Sequence, residues 1–384
     1  MANPKSATEL TCPFGRFTLT PHSAGPTPGA VQAWCAADKL LLNAVANATD
    51  QSSGRTFTLL TINDTHGAIS VPAAAEATWT DSALSCEAIL RNAQANSVEP
   101  PAITPSTLTP PCSSKNTTHV LIRVPKQHRY FEYQLEQIAL HFPAGTPIYA
   151  AGMDKHLSPH TATIMEKYIG AITRHRGESK ARLFTGRLEK TDIEKADFSN
   201  QYFCEPLEAP LLSLPNVFSQ SALDQGTRFL LETLSALEPA EHVIDLACGN
   251  GVLGIYAGKY GGASVVTFCD ESALAIASAR HNVATVLGET KTQCSFDWSN
   301  GLQDYKGPKV ERILLNPPFH AGHRVDPGSG KRLLSQCAEH LKSDGELLVV
   351  ANRHLDYLAT LEKTFRRVSS IAQNKKFVVL RAMK

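Results

Sequence analysis

"HVIDLACGNGVLG", His242 to Gly254, decides how the second half of this 384-residue chain folds. His242 to Leu246 reads as a buried strand, Gly249-Asn250-Gly251 as a tight turn, and Val252 to Tyr260 as a short helix. The elements downstream keep that rhythm. Ser264 to Cys269 is a second strand with Asp270 at its end, Ala273 to Val283 a helix, Gln293 to Asp297 a weaker strand and Arg312 to Leu315 a strong one. A further helix ends near Lys342, Gly345 turns the chain, and Glu346 to Ala351 and Lys376 to Ala382 are the closing strands. Strands alternating with helices predict an α/β fold with a mostly parallel sheet covered on both faces.

The first half repeats the plan. "LLTINDTHGAIS" (Leu59 to Ser70) lies over "VIDLACGNGVLG", with Gly67 matching Gly251. "DSALSCEAILRNAQAN" (Asp81 to Asn96) resembles "DESALAIASARHNVAT" (Asp270 to Thr285), with Asn92 matching Asn282. "HVLIRVPK" (His119 to Lys126) lies over "RILLNPPF", and "IYAAGMDKHL" (Ile148 to Leu157) over "LLVVANRHL". Four matches in one order predict an internal duplication. The copies differ where chemistry would lie: Thr61 stands for Asp245, Asp64-Thr65-His66 for the Cys248-Gly249-Asn250 turn, and Arg123-Val124-Pro125-Lys126 for Asn316-Pro317-Pro318-Phe319. The first copy is therefore expected to keep the fold and lose the site. The join falls within Thr185 to Pro215, giving domains 1–200 and 201–384. Just before it, Arg174 to Lys190 carries six Lys/Arg against two Glu, a segment that could meet phosphates or be a solvated hairpin.

Composition is that of a globular protein, with 42% hydrophobic and 19% charged residues. Met1 to Lys5 leads into a polar stretch, so neither a signal peptide nor a membrane span is expected. A net charge of +1 means that a polyanion would have to be met by a local patch. Nine cysteines without a Cys-x-x-Cys pattern suit reduced thiols in the cytoplasm. The spaced histidines, His156 with His160 and His320 with His323, read as loop residues, and no metal is expected.

Gly249 to Gly254 matches G-x-G-x-x-G after a strand, with an acid, Asp270, nineteen residues beyond Gly251. That is the dinucleotide fingerprint, but Asp245 precedes it at the strand end. A carboxylate there would repel a pyrophosphate resting on the helix N-terminus and would suit an ammonium group. S-adenosyl-L-methionine has that ammonium and no phosphate, and Asp270 could accept hydrogen bonds from its ribose. Asp-x-Ala-x-Gly-x-Gly is the pattern of class I methyltransferases, with Ala247 in place of the usual first glycine; an alanine is strained if that position needs a positive φ.

Asn316-Pro317-Pro318-Phe319 ends the fourth strand of this half and should face the same cleft. An exocyclic amine on a planar ring is a poor nucleophile because its lone pair is delocalised. The Asn316 side-chain oxygen and the Pro317 carbonyl could accept its two protons, the prolines could fix those acceptors, and Phe319 could stack on the ring.

Asn-Pro-Pro-aromatic is the signature of amino-methyltransferases, and "NPPFH" resembles the form in ribosomal RNA guanine-N2 methyltransferases. "QAWCAADKLLL" (Gln32 to Leu42), "PNVFSQSALDQGTRF" (Pro215 to Phe229), "ANRHLDYL" (Ala351 to Leu358) and "NKKFVVLRAMK" (Asn374 to Lys384) extend the likeness across nearly the whole chain, toward the methyltransferase G and C group of that family. The resemblance implies two tandem class I methyltransferase (Rossmann-like) domains, the N-terminal one degenerate and concerned with RNA recognition. It implies S-adenosyl-L-methionine as cofactor and a guanine of 23S rRNA, possibly within the large ribosomal subunit or its precursor, as substrate. Its cofactor-binding residues would be Asp245, Ala247, Cys248, Gly249, Asn250, Gly251, Asp270 and Glu271, with Ser299 and Asn300 near the adenine and Gly226 and Thr227 covering the cofactor. Asn316 to Phe319 would be the catalytic tetrad. Asp297-Trp298 is bulkier and more polar than the pattern at that place, and the Thr/Pro/Ser-rich insertion around Val98 to Thr118 is expected to be a loop. Methylation of 16S rRNA, a non-catalytic RNA-binding assembly factor, an NAD-dependent oxidoreductase and glutamine methylation of a protein are the competing readings.

Overall fold

The computed structural model describes residues 8–22, 32–50, 58–111, 117–190, 192–288, 290–318, 320–321, 324–325, 327–355 and 357–384. The chain divides into two compact units, Met1–Phe198 and Ser199–Lys384.

Among the described residues, the N-terminal unit has a seven-stranded sheet of β1 (Thr58–Ile62), β2 (Ala77–Thr80), β3 (Ala102–Pro105), β4 (Thr117–Arg123), β5 (Pro147–Met153), β6 (Ile172–Arg174) and β7 (Ala181–Arg187), in the order β3-β2-β1-β4-β5-β7-β6. The C-terminal unit has β8 (His242–Leu246), β9 (Val265–Asp270), β10 (Gln293–Trp298), β11 (Val310–Leu315), β12 (Leu341–Asn352), β13 (Arg367–Gln373) and β14 (Phe377–Met383), in the order β10-β9-β8-β11-β12-β14-β13. In both sheets the five strands that come first in the chain are parallel; β7 or β14 runs against them, and the edge strand, β6 or β13, pairs antiparallel with it. The order reverses at the first strand of each unit, which is where such folds open a cleft.

The repeat read from sequence holds at the level of single residues. Leu59 pairs with His119, and Val243 with Arg312, the residues aligned with them. Asn63 (φ +60°) and Ala247 (φ +55°) occupy the same left-handed position, as do Gly67 (φ +77°) and Gly251 (φ +86°). Each unit also begins with a hairpin that the sequence reading missed, Thr8–Cys12 with Gly15–Leu19 and Asn200–Cys204 with Ala209–Ser213. The register puts Thr80 at the position of Asp270, one residue off the starts of the two quoted stretches and in step with Asn92 and Asn282. Ser82 and Ser272, which cap the following helices through the amides of Ser85 and Ala275, fix that shift.

A buried asparagine does the same work in both copies. Asn92 accepts from the Thr20 amide at 2.9 Å and donates to the carbonyls of Thr20 and His66 at 3.0 and 2.7 Å. Asn282 accepts from the Leu212 amide at 2.8 Å and donates to the carbonyls of Leu212 and Asn250 at 2.8 and 2.9 Å. Each amide ties helix, hairpin and glycine turn together.

The apolar residues of the C-terminal strands alternate between two cores. Val243, Phe268, Leu314 and Leu348 face one side, and Ile244, Leu246, Ile313 and Leu347 the other. Both faces are buried, as a parallel sheet requires. The closing edge strand β13 escaped the sequence reading because its alternate residues are exposed and polar. Part of the Val98 to Thr118 insertion is strand β3 rather than loop, and residues 112–116 lie outside the described residues. Arg174 to Lys190 contains the β6–β7 hairpin. No helix among the described residues is long and apolar enough to cross a membrane.

Asn92→Ala and Asn282→Ala each strand buried backbone groups at three bonds. Each is expected to destabilise the protein by about 3 kcal/mol. Denaturant unfolding of the two variants measures this, and a loss below about 1 kcal/mol at both would contradict the clamp.

Candidate methyl-transfer site

The strand ends β10, β9, β8 and β11 lie side by side, so Ser299, Asp270, Asp245 and Asn316 come from one edge of the sheet. Asp245 is fully buried at the end of β8. Its Oδ2 accepts from the Gly254 amide at 2.8 Å, while its Oδ1 is buried with no hydrogen-bond partner among the described residues. Burial pushes the carboxyl up to about 8; the nearby Asp270 adds to the rise and the Gly254 amide opposes it. The approach of helix to strand is close: a Cβ on Gly254 would come within 2.4 Å of the Phe268 ring. The third glycine of the motif is thus demanded by packing.

Ala247, Cys248, Gly249, Asn250 and Gly251 form the turn. Ala247 takes φ +55°, the strained geometry foreseen for a non-glycine at that place, and Gly249 takes +55°. Cys248 is buried, its amide donates to the Cys269 carbonyl at 3.1 Å, and burial raises its thiol well above the ordinary range. Asn250 is buried, and its side-chain nitrogen donates to the Tyr202 hydroxyl at 3.1 Å and the Ser213 hydroxyl at 3.2 Å. Asp270 accepts from the Gly249 amide and the Ser272 amide, both at 2.9 Å, and so closes back onto the turn. The Glu271 carbonyl receives the Trp298 indole N–H at 2.8 Å. Ser299 donates from its amide to the Asp270 carbonyl at 3.0 Å and from its hydroxyl to Gly301 at 2.8 Å. Asn300 is buried; its oxygen receives the Arg332 guanidinium, and its nitrogen donates to Gln303 at 3.3 Å.

Asn316 follows β11 directly. Its Nδ2 donates to Asp224 Oδ2 at 3.0 Å and to Thr227 Oγ1 at 2.8 Å. Its Oδ1 is buried with no partner among the described residues. Pro317 is buried and Pro318 exposed, and Phe319 lies outside the described residues. Asp224 begins the helix Gln225–Leu234 and accepts from the Thr227 amide at 2.9 Å. Gly226 sits between that acid and Phe377, at distances that leave little room for a side chain. Sequence reading assigned no role in the site to Asp224, Tyr202 or Ser213, and it marked Asn282 only as the match of Asn92. The first stands two residues before Gly226, as an acid preceding a helix start, and that capping pattern was the available signal.

The corresponding edge of the N-terminal unit is filled by its own groups. Asp64 turns inward and accepts from the amides of Ala68, Ile69 and Ser70 at 2.7–3.0 Å, and from the Ser70 hydroxyl at 2.8 Å. Thr61 and Thr80 stand where the C-terminal unit has Asp245 and Asp270, and Thr61 bonds Thr78 at 2.6 Å. Arg123, at the place of Asn316, is paired with Asp38 and touches the Cys35 sulfur at 3.0 Å. A helix-start acid thus holds the strand-end residue in both units.

Residues 7–190 match the family described as RLMG N-terminal domain, and residues 208–381 the one described as Methyltransferase small domain. A protein of Alcanivorax borkumensis called "Ribosomal RNA large subunit methyltransferase G" is 37% identical over 91% of both chains. One of Ectopseudomonas mendocina with the same name is 35% identical over 98% of this chain and 99% of its own. Among solved structures, a T. thermophilus 16S rRNA N2 G1207 methyltransferase in complex with AdoMet and guanosine superposes with a TM-score of 0.74 at 19% identity, over 99% of this chain and 98% of that one. That likeness extends the two-domain methyltransferase fold to the full length, and the closer relatives fix the kinship: this chain belongs to the ribosomal RNA large subunit methyltransferase G family.

Proposed function

We propose that the chain transfers a methyl group from S-adenosyl-L-methionine to the exocyclic N2 amine of a guanine in 23S rRNA. The C-terminal unit carries the chemistry, and the degenerate N-terminal unit serves RNA recognition in the cytoplasm, on free RNA or on the large ribosomal subunit or its precursor. The relatives' names supply the large subunit. The observation that carries the chemistry is a pair of buried oxygens without hydrogen-bond partners among the described residues, Asp245 Oδ1 and Asn316 Oδ1, at neighbouring strand ends.

The residues suit the cofactor. A buried carboxylate oxygen lacking a donor fits a cationic amine and opposes a phosphate, which weighs against a dinucleotide. Ala247 to Gly251 would line the methionine end, Asp270 and Glu271 the ribose, Ser299 and Asn300 the adenine, and Gly226 with Thr227 the cover. The bound cofactor supplies an electrophilic methyl on a positively charged sulfur. Asn316 Oδ1 takes one amine proton of the guanine as a hydrogen bond and the Pro317 carbonyl takes the other, which draws the nitrogen toward tetrahedral geometry. Pro317 and Pro318 hold those acceptors, Phe319 stacks on the base, and the surplus proton departs to water after transfer.

Asn316→Ala is expected to slow methyl transfer to rRNA by about 100-fold or more while cofactor affinity stays within about threefold. Labelled methyl incorporation and calorimetry read the two quantities, and full transfer by the variant would remove the proposed role.

Asp245 gives a prediction of opposite sign for stability and binding. The carboxyl keeps its proton up to about pH 8 in the folded chain, against 3.8 when unfolded. Between those values the folded state holds the extra proton, so this contribution is complete below 3.8 and is lost as pH rises through about 8. Asp245→Asn keeps an acceptor for the Gly254 amide and removes the titration. Above pH 8 it should raise the melting temperature of the cofactor-free protein by about 2–4 °C and weaken cofactor binding by about tenfold or more. Thermal melts across pH with and without cofactor decide it; a lower melting temperature at alkaline pH would contradict the buried-acid account.

A further inference from the structure

We propose that Asp224 and Thr227 are positioning residues that lock the Asn316 amide with its oxygen toward the substrate. This rests on the methyl-transfer reading above and assigns the part of the site that makes Asn316 usable.

A primary amide has two nearly isosteric ends, an acceptor and a donor of two protons. Flipped by half a turn, Asn316 would present N–H groups to an incoming amine and repel it. Geometry at the strand end forbids the flip. The two amide protons are both taken, one by Asp224 Oδ2 at 3.0 Å and one by Thr227 Oγ1 at 2.8 Å. A carboxylate only accepts, so the end facing it has to be the nitrogen. The oxygen is left buried, unpartnered and fixed in direction. The charge on Asp224 does a second thing. A carboxylate beside the amide nitrogen pushes amide electron density toward the oxygen, so Oδ1 becomes a stronger acceptor as the substrate amine gains positive character.

Asp224 also caps the helix Gln225–Leu234 through the Thr227 amide, at 2.9 Å. The cap uses the Thr227 backbone, and the lock uses its hydroxyl. The N-terminal unit also has an acid at the start of a helix, Asp38, but in the first turn and not at the cap, and it pairs with Arg123, a cation that cannot accept a proton from any amine. The paired arrangement is therefore shared, and the group presented to the cleft differs.

The test separates lock from cap. Thr227→Val keeps the shape and the backbone cap and removes the hydroxyl acceptor; Thr227→Ser restores it. Asp224→Asn keeps a good helix cap and removes the charge. In single-turnover methyl transfer to rRNA, Thr227→Val and Asp224→Asn are each expected to be slowed about 10- to 100-fold, with Thr227→Ser within about threefold of the unmodified protein. Cofactor affinity and melting temperature should change little in all three, because the cover over the cofactor would be made by the Gly226-Thr227 backbone, which these substitutions keep. The proposal is overturned if Thr227→Val transfers at the full rate. It is overturned equally if its defect appears as lost cofactor affinity or lost stability, or if Thr227→Ser is as slow as Thr227→Val. Failure of the underlying reading looks different: the unmodified protein would bind cofactor and leave the N2 amine of rRNA guanines unmethylated.

Discussion

The side chain of Asn282 is the constraint on which the C-terminal unit depends. It grips the backbone of the hairpin strand through Leu212 and holds the glycine turn through the Asn250 carbonyl, while sitting on a helix that packs against the sheet. Three elements that are distant in sequence are thereby referred to one point. The turn can then keep Ala247 at a positive φ, because the segments on either side are fixed. Asn92 does the same in the N-terminal unit, with Thr20 and His66 as its partners. The clamp persists in a unit that has lost its site, so its work belongs to the fold.

What separates the two units is how each strand end is satisfied. In the N-terminal unit the residues at the places of the C-terminal site are tied to their own chain: Asp64 takes three amides and a hydroxyl, Arg123 takes an acid, and Thr61 takes Thr78. At the same edge of the C-terminal unit two oxygens, Asp245 Oδ1 and Asn316 Oδ1, are buried without hydrogen-bond partners among the described residues. Such groups are unfavourable in a cofactor-free protein, and the discomfort is informative. Asp245 responds by holding its proton, and Asn316 is held so that it cannot turn its oxygen away. A site of this kind trades stability for binding.

Much of this was legible in the residues. The alternation of strand and helix, the glycine turn and the acids on either side of it pointed to the fold class and to the strand ends proposed as the site, because local propensity and the parallel sheet's strand-end rule act on short segments. The duplication was visible for the same reason, since "LLTINDTHGAIS" and "VIDLACGNGVLG" obey one turn geometry. The hairpins before each first strand were hidden. Their strands are short, and "NQYFC" and "APLLS" alternate only weakly between buried and exposed. Strand β13 was hidden because an exposed edge strand carries polar residues.

Sequence by itself determined that a strand should end in Asn-Pro-Pro, that an acid should stand before the glycine turn, and that the first copy lacks both. Those are statements about which groups are present. Tertiary structure alone decided which end of each group faces the cleft. Asp224 lies 92 residues before Asn316, and nothing in either local stretch says that the two meet. The orientation of an amide depends on partners brought from another strand or helix, and a hydrogen bond across the fold leaves no period in the chain.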